Sequence, residues 1–218
     1  MWTTVNISAT EGPTMKATTT RPTYHHGDLR NALIDAGAKL AEQGGPTAVG
    51  VRAAARQVGV TPTAAYRHFA NAEALQGAVK ERAFDVLAEG MRAEMATLEP
   101  SGDAAEDAVR RLYAIGRAYL RVALAEPGLF RTAFGEERGS PATARETDAS
   151  FLMLSRGLDD LVEAGYLPAE RRPLAEFAAW SAVHGLARLI LDGPLAELPA
   201  DARDAALERT LDMVARGL

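Results

Sequence analysis

The sequence predicts an all-α protein with an N-terminal three-helix domain followed by a larger helical domain. Alanine, leucine, arginine and glutamate dominate the 218 residues, and all four are strong helix formers. Runs of alternating valine, isoleucine and threonine, which would indicate strands, are missing. Apolar residues recur instead three and four positions apart, so they share one face of a helix.

Composition excludes several classes of site. The chain has no cysteine, which rules out a disulfide framework, a cysteine-ligated zinc site and a thiol nucleophile. No window approaches about 18 uninterrupted apolar residues, so we expect no transmembrane helix. Residues 1–22 lack a long apolar run after a basic start, so we expect no signal peptide and a cytoplasmic protein. Met15, followed by Lys16, is an alternative translation start.

Charge is distributed unevenly along the chain, whose formal net charge is −5. Residues 16–82 contain nine Lys and Arg against five Asp and Glu, whereas residues 83–218 contain fifteen against twenty-three. A basic front and an acidic rear indicate two modules with different partners. An uneven surface without functional meaning is the alternative.

The N-terminal part of the chain is predicted to begin with an arm and two helices. Residues 1–22 are rich in Thr, Pro and Gly, so we expect a disordered arm there. The first helix is predicted from Asp28, an N-cap residue, to the Gly-Gly-Pro at 44–46, and its apolar face carries Leu29, Leu33, Ala36 and Leu40. The second helix is predicted over residues 51–58, with an inward face of Val51, Ala54, Ala55 and Val58.

The stretch "GVTPTAAYRHF", residues 59–69, predicts a tight turn and a third helix. Gly59 suits the left-handed end of the second helix, Thr61 suits an N-cap, and Pro62 suits the first helical position. The third helix is predicted to reach Phe69, with Ala65 and Phe69 facing the core. Thr63, Tyr66 and Arg67 then face outward, with His68 near the helix end.

Two short helices joined by such a turn form a helix-turn-helix unit, whose second helix typically enters the DNA major groove. Arg67 can reach a guanine edge or a phosphate, and Thr63 can donate to a phosphate or touch a thymine methyl. Tyr66 and His68 can bond phosphate oxygens. The alternative is an αα corner of any helical protein, in which Tyr66 and Phe69 belong to the core.

Residues 24–79 resemble the N-terminal DNA-binding domain of the TetR family of transcriptional regulators, most specifically in "ARQVGVTPTAAYRHF". Residues 175–194 resemble the Trp-x-x-x-His-Gly (WHG) segment of one class of TetR C-terminal domains. The resemblance implies an all-α homodimer, a ligand pocket in each C-terminal domain, and an operator of two half-sites. It implies a DNA-binding domain at 23–70 and a ligand-binding and dimerisation domain at 71–218.

The resemblance assigns DNA contacts to Gly50, Arg52, Thr61, Thr63, Ala64, Tyr66, Arg67 and His68. Two positions depart from the family, which often has Ser or Thr in place of Gly50 and Lys in place of Ala72. We therefore expect weaker anchoring to the DNA backbone, because a hydroxyl and a cation are lost. Basic residues at the N-terminus can offset this loss, namely Lys16, Arg21, His25 and His26.

The acidic rear is predicted to hold an apolar cavity for a small-molecule effector. The candidate lining residues are Phe84, Leu87, Met91, Tyr113, Tyr119, Phe134, Phe151, Leu154, Trp180 and His184. Trp180 and His184 are four apart and share a helix face, which Glu176 and Arg188 extend. Core packing is the alternative for each of these residues, and His184 is either structural or a hydrogen-bonding partner of the ligand.

The last two helices, predicted near 173–192 and 201–217, carry the dimer interface that the resemblance implies. Its candidate residues are Ala178, Ala179, Ala182, Gly185, Leu189, Leu207, Leu211 and Val214. Residues 136–147 are polar and are predicted to form a mobile loop.

Enzyme signatures are missing: we find no Gly-x-Ser-x-Gly, no His-Glu-x-x-His and no phosphate-binding glycine loop. We therefore expect no catalytic residue, no metal and no cofactor. The function predicted is a transcriptional repressor, not an enzyme, that a small molecule releases from palindromic double-stranded operator DNA, with no membrane partner. The alternative is a helical sensor or protein-interaction module without DNA binding.

Overall fold

The computed structural model describes residues 26–135 and 148–217, with side chains from residue 29 onward. This part of the chain is helical without strands, which confirms the predicted fold class. Its α-helices are α1 His26–Gly44, α2 Val51–Val58, α3 Pro62–Tyr66, α4 Ala72–Met95, α5 Ala104–Ala125, α6 Pro127–Ala133, α7 Ala149–Glu163, α8 Ala175–Asp192 and α9 Ala200–Gly217. Single 3₁₀ turns lie at Pro46–Ala48 and Ala169–Arg171.

Side-chain caps set where four of these helices begin. The side chain of Thr61 accepts a hydrogen bond from the backbone N–H of Ala64, and that of Asn71 accepts one from Ala74. Asp103 caps α5 through two N–H groups, and Asp148 caps α7 through the N–H of Ser150. Such caps satisfy the N–H groups that a first helical turn leaves without intrahelical partners.

Two helix ends differ from the sequence prediction. The first helix begins at His26, so Asp28 lies within its first turn and is not its N-cap. The third helix ends at Tyr66 and not at Phe69. The N–H groups of Arg67 and His68 bond to carbonyls only three residues back, because the chain tightens before it enters α4.

A first core joins α1, α2, α3 and the beginning of α4. Its largest buried members include Leu33, Val49, Val51, Phe69, Leu75 and Val79. A second core joins the rest of α4 to α5, α7, α8 and α9, and it includes Leu87, Met91, Leu112, Leu158, Leu161, Leu186 and Leu211. Helix α5 is central to this second core, since it packs against α4, α7, α8 and α9.

Helix α6 lies between the two cores and contributes to both. Leu129 and Ala133 are buried in the first core, whereas Phe130 is buried in the second. The next residue after α6, Phe134, packs against both. The two cores are therefore connected through this one short helix as well as through α4.

Several predictions lie outside the described residues: the arm at 1–22, the loop at 136–147, the basic residues Lys16, Arg21 and His25, and the side chain of His26. Among the described helices, none is long and apolar enough to cross a membrane.

Candidate DNA interface and effector cavity

The turn between α2 and α3 is built by local backbone geometry. Gly59 has φ 79°, in the left-handed region that glycine adopts without strain. The N–H of Val60 bonds to the carbonyl of Ala55 at 2.9 Å and closes the end of α2. Thr61 and Pro62 then begin α3 at once, so two short helices meet across a fixed elbow.

Burial differs sharply between the two sides of α3 and of the turn that follows it up to Phe69. Ala65 is fully buried and Phe69 nearly so, and both belong to the first core. Thr61, Thr63, Tyr66 and Arg67 are exposed, Tyr66 to 41%. The alternative that made Tyr66 a core residue is therefore wrong, whereas Phe69 is in the core as both interpretations required.

The remaining candidate DNA contacts flank this face. Arg52 is exposed in the first turn of α2, and Gly50 is the N-cap residue of α2 without a side-chain cap. Ala64 and His68 are half-buried. Ala72 is exposed as the first residue of α4, where the family often has a lysine.

Two contacts that the sequence did not indicate hold this unit together. The Gln76 amide of α4 donates to the carbonyls of Pro46 and Val49, at 3.0 and 3.3 Å, and so fixes the segment that leads into α2. The Arg30 guanidinium lies 5.4 Å from the centre of the Phe69 ring, within the range of a cation–π contact. Both join residues far apart in sequence, which no local pattern reveals.

An apolar cavity of about 50 Å³ lies inside the second core. Seven of the ten candidate ligand-binding residues line it: Phe84, Met91, Tyr119, Phe134, Phe151, Leu154 and Trp180. Nine further residues line it that the sequence analysis did not propose as ligand contacts: Leu112, Ile115, Gly116, Asp148, Ser150, Ala179, Val183, Leu211 and Val214. Periodicity marks such residues as buried, but it does not distinguish a cavity wall from close packing.

Three candidate residues do not line the cavity. Leu87 is 2% exposed within the close-packed part of the core. Tyr113 turns to α9, where its hydroxyl donates to Asp212 Oδ1 at 2.6 Å; burial and this hydrogen bond raise the pKa of Tyr113 to about 12. His184 lies one layer behind the wall, with its ring stacked on Phe130 at a centroid distance of 5.5 Å.

Tyr119 joins His184 to the cavity. The Tyr119 hydroxyl accepts a hydrogen bond from Trp180 Nε1 at 3.1 Å and lies 2.8 Å from His184 Nδ1. Because it accepts from the indole, the hydroxyl can donate its own proton to Nδ1 of a neutral imidazole. The Trp180 and His184 pair noticed in the sequence therefore meets at one hydroxyl on the wall of the cavity.

The neighbours of this pair along α8 serve other contacts. Glu176 forms an ion pair with Arg172 at 2.9 Å and accepts a hydrogen bond from Ser155 at 3.1 Å. Arg188 pairs with Asp192 at 3.0 Å. Neither of these two side chains lines the cavity, so the row reaches the cavity wall only at Trp180.

Asp148 and Ser150 form a polar edge of the cavity at the beginning of α7. The Asp148 carboxylate accepts from the backbone N–H of Ser150 at 2.9 Å and from its hydroxyl at 3.0 Å. Burial raises the pKa of Asp148, with a smaller contribution from the negative charge of Asp85. Neither residue was singled out from the sequence, and no local pattern indicates that they face the cavity.

The outward faces of α8 and α9 correct the predicted dimer interface. Ala179, Leu207, Leu211 and Val214 are buried within the core of their own chain, so they are wrong as contacts with a second copy. Ala178 is exposed and Leu189 is 45% exposed, whereas Ala182 and Gly185 are half-buried. Leu174 and Phe177, which precede Ala178 in the sequence, are exposed as well, and so is Met213 of α9; none of the three was expected.

Solved structures share this fold. The chain is similar to a protein of unknown function from Rhodococcus sp. RHA1, at 27% identity and a TM-score of 0.74, over 91% of this chain and 99% of that one. The TetR family transcriptional regulator PfmR from Thermus thermophilus is 22% identical, with a TM-score of 0.60 over 87% and 96% of the two chains. The fatty acid degradation regulator FadR from Bacillus halodurans is 16% identical, with a TM-score of 0.63 over 86% and 98%. No curated protein matches the chain in sequence.

Two family models match consecutive parts of the sequence. The model of bacterial regulatory proteins of the tetR family matches residues 33–79, which contain α2 and α3. A model of the tetracyclin repressor-like C-terminal domain matches residues 112–214, which contain most of the cavity wall. The narrower Trp-His-Gly class stays a prediction. Since the two models describe the two parts of one family and together match more than half of the chain, this protein belongs to the TetR family of DNA-binding transcriptional regulators.

Proposed function

We propose that this protein is a repressor that a small molecule releases from a palindromic operator. The observation that carries the proposal is the division of residues 61–69, which include α3, into a buried side, Ala65 with Phe69, and an exposed side of Thr63, Tyr66 and Arg67. Because one side is packed into the first core, the other side presents polar and cationic groups at fixed positions to a DNA groove.

In this proposal residues 23–70 form the DNA-binding domain. Arg67 and Thr63 contact base edges or phosphates in the major groove, while Tyr66 and His68 bond phosphate oxygens. Arg52, beside Gly50 at the start of α2, contacts the DNA backbone, and Thr61 and Ala64 lie close to it. These contacts supply a positive surface to an otherwise acidic, cytoplasmic protein.

Residues 71–218 form the dimerisation and effector domain. The face of α8 that carries the exposed Ala178 and Leu189 and the half-buried Ala182 and Gly185 is the surface on which a second copy packs. A symmetric dimer separates its two copies of α3 by about 34–36 Å or a multiple, so the operator has two half-sites related by a two-fold axis.

Effector binding changes this separation through α6. A molecule in the cavity presses on Phe134 and Tyr119, and Phe134 contacts the His184 ring at 4.8 Å and the Phe84 ring at 5.5 Å. Since α6 also contributes Leu129 and Ala133 to the first core, its displacement moves α1 and the helix-turn-helix. Ligand and DNA then weaken each other's binding by the same coupling free energy.

The test is binding to a random-sequence duplex, followed by fluorescence anisotropy at several salt concentrations. A regulator binds such DNA non-specifically, and the logarithm of its affinity falls against the logarithm of salt with a slope of about −0.9 per phosphate contact. Arg52→Ala removes one phosphate contact and makes that slope shallower by about 0.9. If the protein shows no salt-dependent DNA binding, it is instead a helical sensor or interaction module. The missing hydroxyl at Gly50 and the missing cation at Ala72 favour this alternative.

A further inference from the structure

The cavity wall carries one charged side chain among its described residues, the carboxylate of Asp148. Among the described residues, only Ser150 donates hydrogen bonds to it, and no Lys, Arg or His of that part of the chain pairs with it. The other polar groups on the wall are the Tyr119 hydroxyl, the Trp180 indole and the Ser150 hydroxyl. The cavity is therefore apolar with a negative edge.

Aromatic rings lie next to that edge. Phe151 follows Asp148 by one helical turn, and its ring centre is 6.5 Å from that of Trp180. The ring centres of Phe134 and Trp180 are 6.0 Å apart, and those of Phe84 and Phe134 are 5.5 Å apart. The faces of these rings carry partial negative charge and attract cations, most strongly for tryptophan.

An anionic ligand is disfavoured at this position. The partial positive charge at the beginning of α7 is already satisfied by Asp148, which caps the helix. Burial raises the pKa of the same carboxyl, and Asp85 adds negative charge nearby, so a second anion would be repelled. A cation beside Asp148 would offset both effects.

We propose that the effector is an apolar organic cation, a protonated amine whose ammonium group binds Asp148 and whose slender hydrocarbon part enters the cavity between α5 and α8. This ligand class rests on the proposed function, because it concerns the same cavity. The free volume of about 50 Å³ has room for only about three to five water molecules, so a thin chain fits better than a bulky ring system.

Three probes of equal chain length separate head-group charge from hydrophobicity: octylamine, which is protonated at neutral pH, octanol and octanoate. The protein has two tryptophans, Trp2 and Trp180, so a Trp2→Phe background makes Trp180 the sole fluorescent reporter inside the cavity. We expect octylamine to quench Trp180 with an affinity at least about tenfold higher than that of octanol or octanoate.

Asp148→Asn tests the charge without removing the helix cap, since Asn caps a helix as well as Asp does. It is expected to lower the affinity for octylamine by about tenfold and to leave that for octanol unchanged. Asp103→Asn is the matched control, because Asp103 caps α5 in the same way but does not line the cavity.

The ligand class is wrong if octanoate binds as tightly as octylamine, or if millimolar octylamine does not quench Trp180. It is also wrong if the Asp148→Asn variant keeps the same preference for octylamine over octanol. A DNA-binding measurement separates this from the proposed function. Octylamine that binds through Asp148 without weakening DNA binding keeps the ligand class and contradicts release by ligand. If a ligand of another class releases the protein from DNA and octylamine does not bind, the proposed function holds and the proposed ligand class is wrong.

Discussion

Gly128 in α6 and Glu42 in α1 touch through their backbones: a Cβ atom added at position 128 would lie 2.5 Å from the Cα atom of Glu42. No side chain larger than hydrogen fits there unless one helix moves. Glycine at this position therefore brings the helix beside the cavity into direct contact with the helix that supports the DNA-binding unit. This contact is one physical connection between the two proposed functions, in addition to the continuous helix α4.

Gly128→Ala is expected to push α6 away from α1 and to cost about 1–3 kcal/mol of unfolding free energy, as other overpacked substitutions do. Operator affinity should change as well, because α1 supports the DNA-binding unit. Denaturant unfolding and DNA titration measure the two effects. Gly77→Ala is the control, because a Cβ at that α4 position meets no atom within 4 Å. Equal stability of the two variants would contradict the account of this contact.

Arg67→Ala is expected to weaken specific DNA binding by about 1–3 kcal/mol, because it removes an exposed guanidinium from the proposed recognition face. Folding should be unaffected, since the side chain is exposed. Arg209→Ala removes an equally exposed arginine from α9, far along the chain from α3, and should leave DNA affinity unchanged. Similar losses in both variants would indicate a general charge effect.

Ala72→Lys is expected to tighten binding to many DNA sequences alike and to steepen the salt slope by about 0.9, because it adds one phosphate contact. The matched control is Ala104→Lys, which puts the same cation on the exposed first residue of α5. Both variants place a cation at a helix N-terminus and lose a few tenths of a kcal/mol of stability. If affinity for non-operator DNA stays the same in Ala72→Lys, this residue does not face phosphate.

His184→Ala is expected to raise the ligand concentration needed for release by up to about tenfold while DNA affinity stays intact. The reason is indirect, since His184 reaches the cavity through the Tyr119 hydroxyl. A dose-response curve of DNA release provides the measurement. Arg188→Ala, one helical turn further along α8, removes an exposed ion pair with Asp192 and should leave the curve in place.

Leu189→Glu is expected to dissociate the proposed dimer, because it buries an unpaired charge in the proposed α8 interface. Operator affinity should fall with it, since a single copy contacts one half-site. Sedimentation velocity of the free protein gives the oligomeric state. Leu152→Glu, on the exposed face of α7 and of comparable exposure, is the control. A dimer that survives Leu189→Glu would exclude this face of α8 as the main interface.

Helix positions were predictable because their signals are local. Thr61 and Pro62 begin α3, Asp103 begins α5, and Gly59 ends α2 with the left-handed geometry that its position implies. The end of α3 was not predictable, because the turn into α4 replaces its last helical residues. Tertiary demands of this kind leave no trace in helical periodicity.

The aromatic residues that line the cavity were easier to predict from the sequence than its other lining residues. Phe134, Phe151 and Trp180 are large residues in a helical core, where a cavity and a ligand contact share the same composition. Asp148 was not singled out, because it precedes the apolar pattern of α7, and Tyr113 and Leu87 had the same periodicity as the residues that line the cavity. Which side of a buried helix faces empty space depends on how all its neighbours pack, and that information is spread over α4, α5, α7, α8 and α9.

Selection of bound duplexes from a random DNA pool by the purified protein tests the central claim most directly. The account predicts one enriched palindrome, two half-sites whose centres lie about one helical turn or a multiple apart, and two copies of the protein on each selected duplex. The Arg67→Ala variant, selected in parallel, should lose preference at particular base pairs within each half-site. A pool that yields no enriched motif, or an asymmetric motif bound by a single copy, would contradict a dimeric operator-binding regulator.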